Sequence, residues 1–180
     1  MANKMEHTLG IIKPDAVAQG HTGDIISMLE KQGFTIDRME KGLIGKEYAA
    51  MFYDVHKDKP FFNELVDHIS SGPIVVMALR KENAIADWRK LMGSTNPAGA
   101  EEGTIRKKFG TNIGKNAVHG SDSPETAARE LMIFFGGEQH KESKDDSCAC
   151  GCTQEGDECP EGKGCEDCPC CHDCSGCHRK

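Results

Sequence analysis

An α+β domain, with helices packed on one face of a mostly antiparallel sheet, is the fold class this sequence predicts. Three observations lead there. Strand-length apolar segments at residues 9–13, 34–43 and 74–79 are separated by segments of helical period. The order of segments is β, α, β, α-α, β, α, loop, α, which suits a sheet with helices laid on it. No aromatic residue follows Phe135, so the core must be built from the residues before it.

Residues 9–13 form a short apolar strand that Pro14 ends, and residues 15–20 a turn or short helix. Ile25, Ile26 and Leu29 place a helix over 22–32, stopped by Gly33. Residues 34–43 alternate in part and read as a strand. Two amphipathic helices, 47–56 and 61–70, are separated by 57–60. The clearest strand is 74–79, a continuous apolar run after the breaker Gly72-Pro73. Residues 84–92 are helical. Residues 93–115 are rich in glycine, threonine and charge, with one short helical turn near 104–108. A last helix covers 124–132, and residues 133–135 close the core before Gly136-Gly137.

The average composition conceals two unlike parts. All ten cysteines lie between Cys148 and Cys177. Residues 141–180 carry a net charge of −5 out of −7 for the whole chain. Only the first part has apolar residues enough for a core. The expected organisation is a folded domain over 1–137, a polar linker over 138–147 and a cysteine-rich segment over 148–180. The apolar run at 9–12 is too short for a signal-peptide core, and no run approaches the roughly 20 residues that span a bilayer. A cytoplasmic, membrane-free protein is expected. Its acidic balance and lack of a basic aromatic stripe do not favour nucleic acid.

The most informative segment is NAVHGSDS at 116–123. Imidazole is a nucleophile near neutral pH, since the free side chain titrates near about 6.5. Small neighbours leave His119 room for a bulky electrophile such as a phosphoryl group. Alone, a histidine in a Gly/Ser loop would more often be a solvated surface group. Three further segments change that: TLGIIKPD at 8–15, HKDKPFF at 56–62 and STNPAGAEEGTIRKKFG at 94–110. With these four motifs, the chain from about residue 8 to 135 resembles the nucleoside diphosphate kinases.

The resemblance implies a ferredoxin-like β-α-β-β-α-β fold. It also implies transfer of the γ-phosphate of a nucleoside triphosphate, typically ATP, to nucleoside diphosphates in a ping-pong cycle through phosphohistidine at His119. In that reading Glu130, eleven residues on, accepts a hydrogen bond from the other ring nitrogen, with Ser121 assisting, and Tyr53 packs beside the histidine. Lys13, Arg89 and Arg106 match phosphate-contacting positions. A guanidinium grips phosphate oxygens in a fork. Thr95 matches a hydroxyl on phosphate. Asn116 matches the amide that, with Lys13, bonds the ribose. Phe61 matches the platform on which the base stacks, which implies low base selectivity, while Phe62 is kept inside. His56 matches an active-site position and Asp122 lies near the metal or its water shell. Mg²⁺ is expected on the nucleotide phosphates, and a homo-oligomer, tetramer or hexamer, is implied. No GxxxxGK[ST] segment occurs, so the phosphate site is not a P-loop. Two departures from the family stand out: Gly10 occupies a strand position where a larger residue is common, and Lys107-Lys108 makes its loop unusually basic.

The cysteine segment has its own chemistry. C-x-C and C-x-x-C steps link Cys148, Cys150 and Cys152, and then Cys165, Cys168, Cys170, Cys171, Cys174 and Cys177, with Cys159 between the two runs and His172 and His178 among the ligands. In a reducing cytosol thiolates serve as ligands rather than disulfides. C-x-x-C sets two sulfurs on one metal, C-x-C favours bridged clusters, and soft thiolates select Zn²⁺ or Cu⁺. Twelve ligands at four per unbridged zinc would hold about three ions. The segment is similar to metallothionein in composition and spacing. A second reading therefore stands beside the kinase: a metal-storing or redox-sensing protein that uses the kinase domain as carrier.

Overall fold

A computed structural model of the chain describes residues 5–136. The linker 138–147 and the cysteine-rich segment 148–180, with the metal ligands expected there, lie outside the described residues. The elements are β1 (Met5–Ile12), α1 (Pro14–Ala18), α2 (Thr22–Lys31), β2 (Thr35–Gly42), α3 (Lys46–Phe52), α4 (Phe62–Ile69), β3 (Ile74–Glu82), α5 (Ala84–Met92), α6 (Ile105–Phe109), β4 (Val118–Gly120) and α7 (Pro124–Phe135). Single 3₁₀ turns stand at Asp54–His56 and Pro97–Gly99. The four strands form one antiparallel sheet in the order β2-β3-β1-β4, the arrangement of the ferredoxin-like α+β fold.

Helices cover both faces of this sheet, not the one face that the segment order suggests. The alternation of β3 shows why. Val75, Met77 and Leu79 join Ile25, Leu29 and Trp88 in one core, beneath α2 and α5. Ile74, Val76 and Ala78 join Ala49, Phe52, Val66, Ile69 and Phe135 in a second, beneath α3, α4 and α7. A strand buried on both faces has no polar alternation, which is the reason residues 74–79 read as one continuous apolar run.

Two further differences shape the surroundings of His119. The 47–56 helix ends at Phe52 and gives way to the 3₁₀ turn. More important, His119 lies on a strand rather than in a loop. β4 is three residues long, pairing Gly120 with Gly10, His119 with Ile11 and Val118 with Ile12. The register puts His119 on the α3/α7 face. It also sets two glycines opposite each other under Trp88. A Cβ on Gly10 would meet Leu79 Cδ1 at 2.9 Å and Trp88 Cζ2 at 3.4 Å, and one on Gly120 would meet Trp88 Nε1 at 2.2 Å. At Gly120 the buried indole fills the space a side chain would need; at Gly10 Leu79 does so, with the indole at contact distance beyond it. α7 starts where its sequence says it should: Ser123 accepts the Thr126 N–H at 3.1 Å and Pro124 opens the first turn.

Candidate functional site

Strand β4 and helix α7 bring His119 and Glu130 together. His119 Nε2 lies 3.0 Å from Glu130 Oε1, and Ser121 donates its hydroxyl to Glu130 Oε2 at 2.6 Å. Ser121 Oγ in turn accepts the Leu9 N–H at 3.3 Å. Both carboxylate oxygens are thus engaged, and the carboxylate is buried. A carboxylate on Nε2 fixes the tautomer in which Nε2 carries the proton, leaving Nδ1 with a free lone pair. Among the described residues Nδ1 has no hydrogen-bond partner. The imidazole side chain remains 21% exposed.

Aromatic rings hold that imidazole in place. Phe52 meets it edge-on at 5.2 Å between centroids and Tyr53 at 6.2 Å. Tyr53 is buried; burial first, and then the Glu130 charge, push its hydroxyl well above its ordinary range. It therefore stays neutral beside the histidine. From Tyr53 the rings continue to His56 at 6.3 Å, and from His56 to Phe61 at 6.2 Å. Phe61 is 45% exposed, a flat apolar face open to solvent, while Phe62 packs against the second core.

A second cluster is cationic. Lys13 donates from Nζ to Asn116 Oδ1 at 2.6 Å, and Asn116 Nδ2 donates to the Thr95 carbonyl at 3.1 Å. Arg106 donates from Nη1 to the Gly93 carbonyl at 2.9 Å and from Nη2 to the Val118 carbonyl at 3.1 Å, tying itself to the strand that carries His119. Its buried Nε has no partner among the described residues. These cations oppose one another. Burial, aided by Arg106 and resisted by Asp15, pushes Lys13 down to about 8. Burial and the neighbouring Arg89 push Arg106 down to about 10. Mutual repulsion among partly buried cations is relieved when a polyanion arrives between them.

Arg89, Thr95 and Asp122 are exposed, with Arg89 close enough to Arg106 to shift it. Thr95 enters through its carbonyl. Among the described residues no group of three or more His, Cys, Asp or Glu side chains could hold a metal ion by itself. Sequence reasoning overlooked Phe52, Asp15 and His68. Asp15 was in view, inside the TLGIIKPD motif. Phe52 and His68 carry no local signal, because only packing brings them to this place.

Comparisons with known proteins point to one family. A family model described as nucleoside diphosphate kinase matches residues 6–140. The nucleoside diphosphate kinase of Trichlorobacter lovleyi is 57% identical over 131 residues, which cover 73% of this chain and 95% of that protein. The one from Syntrophotalea carbinolica is 56% identical over 133 residues, 74% of this chain and 97% of that protein. Among solved structures, the Aquifex aeolicus nucleoside diphosphate kinase superposes with a TM-score of 0.73 at 42% identity. The match covers 74% of this chain and 97% of that one.

Proposed function

The chain belongs to the nucleoside diphosphate kinase family and is a phosphotransferase, and from that premise we propose that His119 is its phosphoryl carrier. His119 Nδ1 attacks the γ-phosphorus of a magnesium-bound nucleoside triphosphate. A P–N bond forms as the bond to the bridging oxygen breaks, and the diphosphate leaves with that electron pair. A second diphosphate then reverses the step and departs as triphosphate. The contact that carries this reading is the 3.0 Å approach of Nε2 to a Glu130 carboxylate whose other oxygen is taken by Ser121. It keeps the proton on Nε2 and stabilises the positive charge that develops on the ring as Nδ1 bonds phosphorus.

The rest of the machinery positions and neutralises. Lys13, Arg89 and Arg106 face the phosphates, and Thr95 adds a hydroxyl. Asn116 and Lys13 hold the ribose. Phe61 stacks the base without reading its edge, so base selectivity is low. Mg²⁺ arrives with the nucleotide as part of the substrate, screening charge on the phosphates, with Asp122 near its water shell and His56 beside the base platform.

The cysteine segment takes up Zn²⁺ or Cu⁺, a reading supported by its sequence alone. The set Lys13, Arg89, Arg106, Asn116, His119 and Glu130 is intact, which speaks against the kinase domain being a mere carrier for a metal store or redox sensor. A cytoplasmic homo-oligomer, tetramer or hexamer, completes the proposal. No described helix is long and apolar enough to cross a membrane.

Incubation with γ-labelled ATP tests the core of it. The expected product is a phosphoprotein that acid hydrolyses and alkali spares, as for a phosphoramidate, and that His119→Ala does not form. An acid-stable label, or transfer at full rate by His119→Ala, refutes it. Native mass spectrometry tests the rest. Three or more metal ions per chain support the thiolate cluster. A metal-free chain lighter by pairs of hydrogens replaces it with disulfides.

A further inference from the structure

The strand that carries His119 is entered through a turn that alanine rarely makes. Ala117 is fully buried and has φ of +67°. It is the middle residue of a γ-turn closed by Val118 N donating to Asn116 O at 2.8 Å. Gamma-turns with positive φ are rare and strained, and a non-glycine residue stays in such a conformation only where its surroundings over-determine it.

Here the surroundings do so from one short stretch of chain. The Ala117 N–H donates to Asp15 Oδ2 at 3.0 Å, and the Ala117 carbonyl accepts from the Lys13 N–H at 2.8 Å. The other carboxylate oxygen, Asp15 Oδ1, lies 3.1 Å from His68 Nε2. Asp15 is buried in the first turn of α1, and His68 stands in the last turn of α4. Burial works to raise the Asp15 carboxyl. The bonds from His68 and Ala117, with the nearby Lys13 charge, outweigh it and hold the group below its ordinary range. Asp15 is therefore a carboxylate, with both oxygens committed. The turn it grips has Asn116 on one side and His119 two residues beyond on the other.

We infer that Asp15 and His68 form a positioning clamp: the carboxylate, itself oriented by His68, holds Ala117 in its strained turn and so sets where Asn116 and His119 stand. Neither residue touches substrate; both act through the backbone of the turn. The inference rests on the proposal that His119 is the phosphoryl carrier.

Rapid-quench phosphorylation of the full chain by saturating γ-labelled ATP tests it, at a temperature where circular dichroism shows every variant folded. Asp15→Ala slows single-turnover phosphorylation on the order of 10- to 100-fold, since misplacement by about 1 Å has that effect. The ATP concentration at half-saturation changes by a smaller factor. Adding Ala117→Gly to Asp15→Ala recovers part of the rate, because glycine takes positive φ unaided. His68→Gln, whose amide still donates to Asp15, is faster than His68→Leu. A wild-type rate in Asp15→Ala, or a double variant no faster than the single one, overturns the clamp. If Asp15→Ala does not fold, the His68 pair decides, and equal rates for glutamine and leucine overturn it. A wild-type protein that forms no phosphohistidine removes the functional proposal and the clamp together. Wild-type phosphorylation with an unaffected Asp15→Ala removes the clamp alone.

Discussion

Replacing Gly120 by alanine adds one methyl group beside His119, and the structure sets its consequence. The new Cβ would stand 2.2 Å from Trp88 Nε1, 2.4 Å from Trp88 Cδ1 and 2.8 Å from Met92 Cε. The first two lie at least 1 Å inside the 3.4 Å at which ordinary contact begins. Trp88 is fully buried in the core beneath α2 and α5, so the indole has no open space to enter. Either α5 or β4 must move. Overpacking of this kind costs about 2–3 kcal/mol, which for a protein of this size lowers Tm by roughly 5–10 °C. If β4 moves, His119 moves with it, away from Glu130, and phosphorylation slows on the order of 100-fold. Gly10→Ala is the control. Its tightest neighbour is Leu79 Cδ1 at 2.9 Å, the far end of a flexible side chain, so its cost stays below about 1.5 kcal/mol. Calorimetry and the labelled-ATP assay read both variants. A Gly120→Ala protein with wild-type Tm and phosphorylation rate, or a Gly10→Ala protein damaged more than it, would refute the reasoning.

The Lys13 ammonium, pushed down to about 8 from 10.5, loses its charge at moderately alkaline pH. Nucleotide affinity of the free enzyme should fall in a single-proton step as pH rises through about 8, a step absent from Lys13→Met; a flat KM profile from pH 7 to 9 contradicts this. For stability the sign is opposite. The unfolded chain binds the extra proton between pH 8 and 10.5, so Lys13 opposes folding below about pH 8 and this opposition fades as pH rises through that window. Denaturant melts across it, compared with Lys13→Met, read the effect. Phe61→Ala should raise KM about 5- to 100-fold by similar factors for purine and pyrimidine nucleotides, since stacking is indifferent to base identity. A loss confined to one base class would mean that the platform reads edges.

What could be read in the sequence was what depends on neighbours along the chain. The helix over 84–92 was legible because its apolar residues repeat at helical spacing and Gly93 ends it. The start of α7 was legible because Ser123, Pro124 and Glu125 are local start signals. The candidate residues of the site were legible as motifs, since a resemblance compares short segments directly. Strand β4 was not: three residues, one of them glycine, hold too little pattern, and its extended form comes from pairing with β1. The second layer of helices was announced by the unbroken apolar run of β3, yet a single run does not say what covers each face.

By itself, then, the sequence determined the α+β fold class and nearly every helix, and it named the candidate residues of the site. Only the tertiary structure decided their geometry. Lys13 meets Asn116 across 103 positions and Asp15 meets Ala117 across 102, while the proton on His119 is assigned by a carboxylate on another element. Local propensity acts within a turn or a strand, but these contacts depend on sheet register and on which helix face is buried. A register shift of one residue would turn His119 to the other side of the sheet.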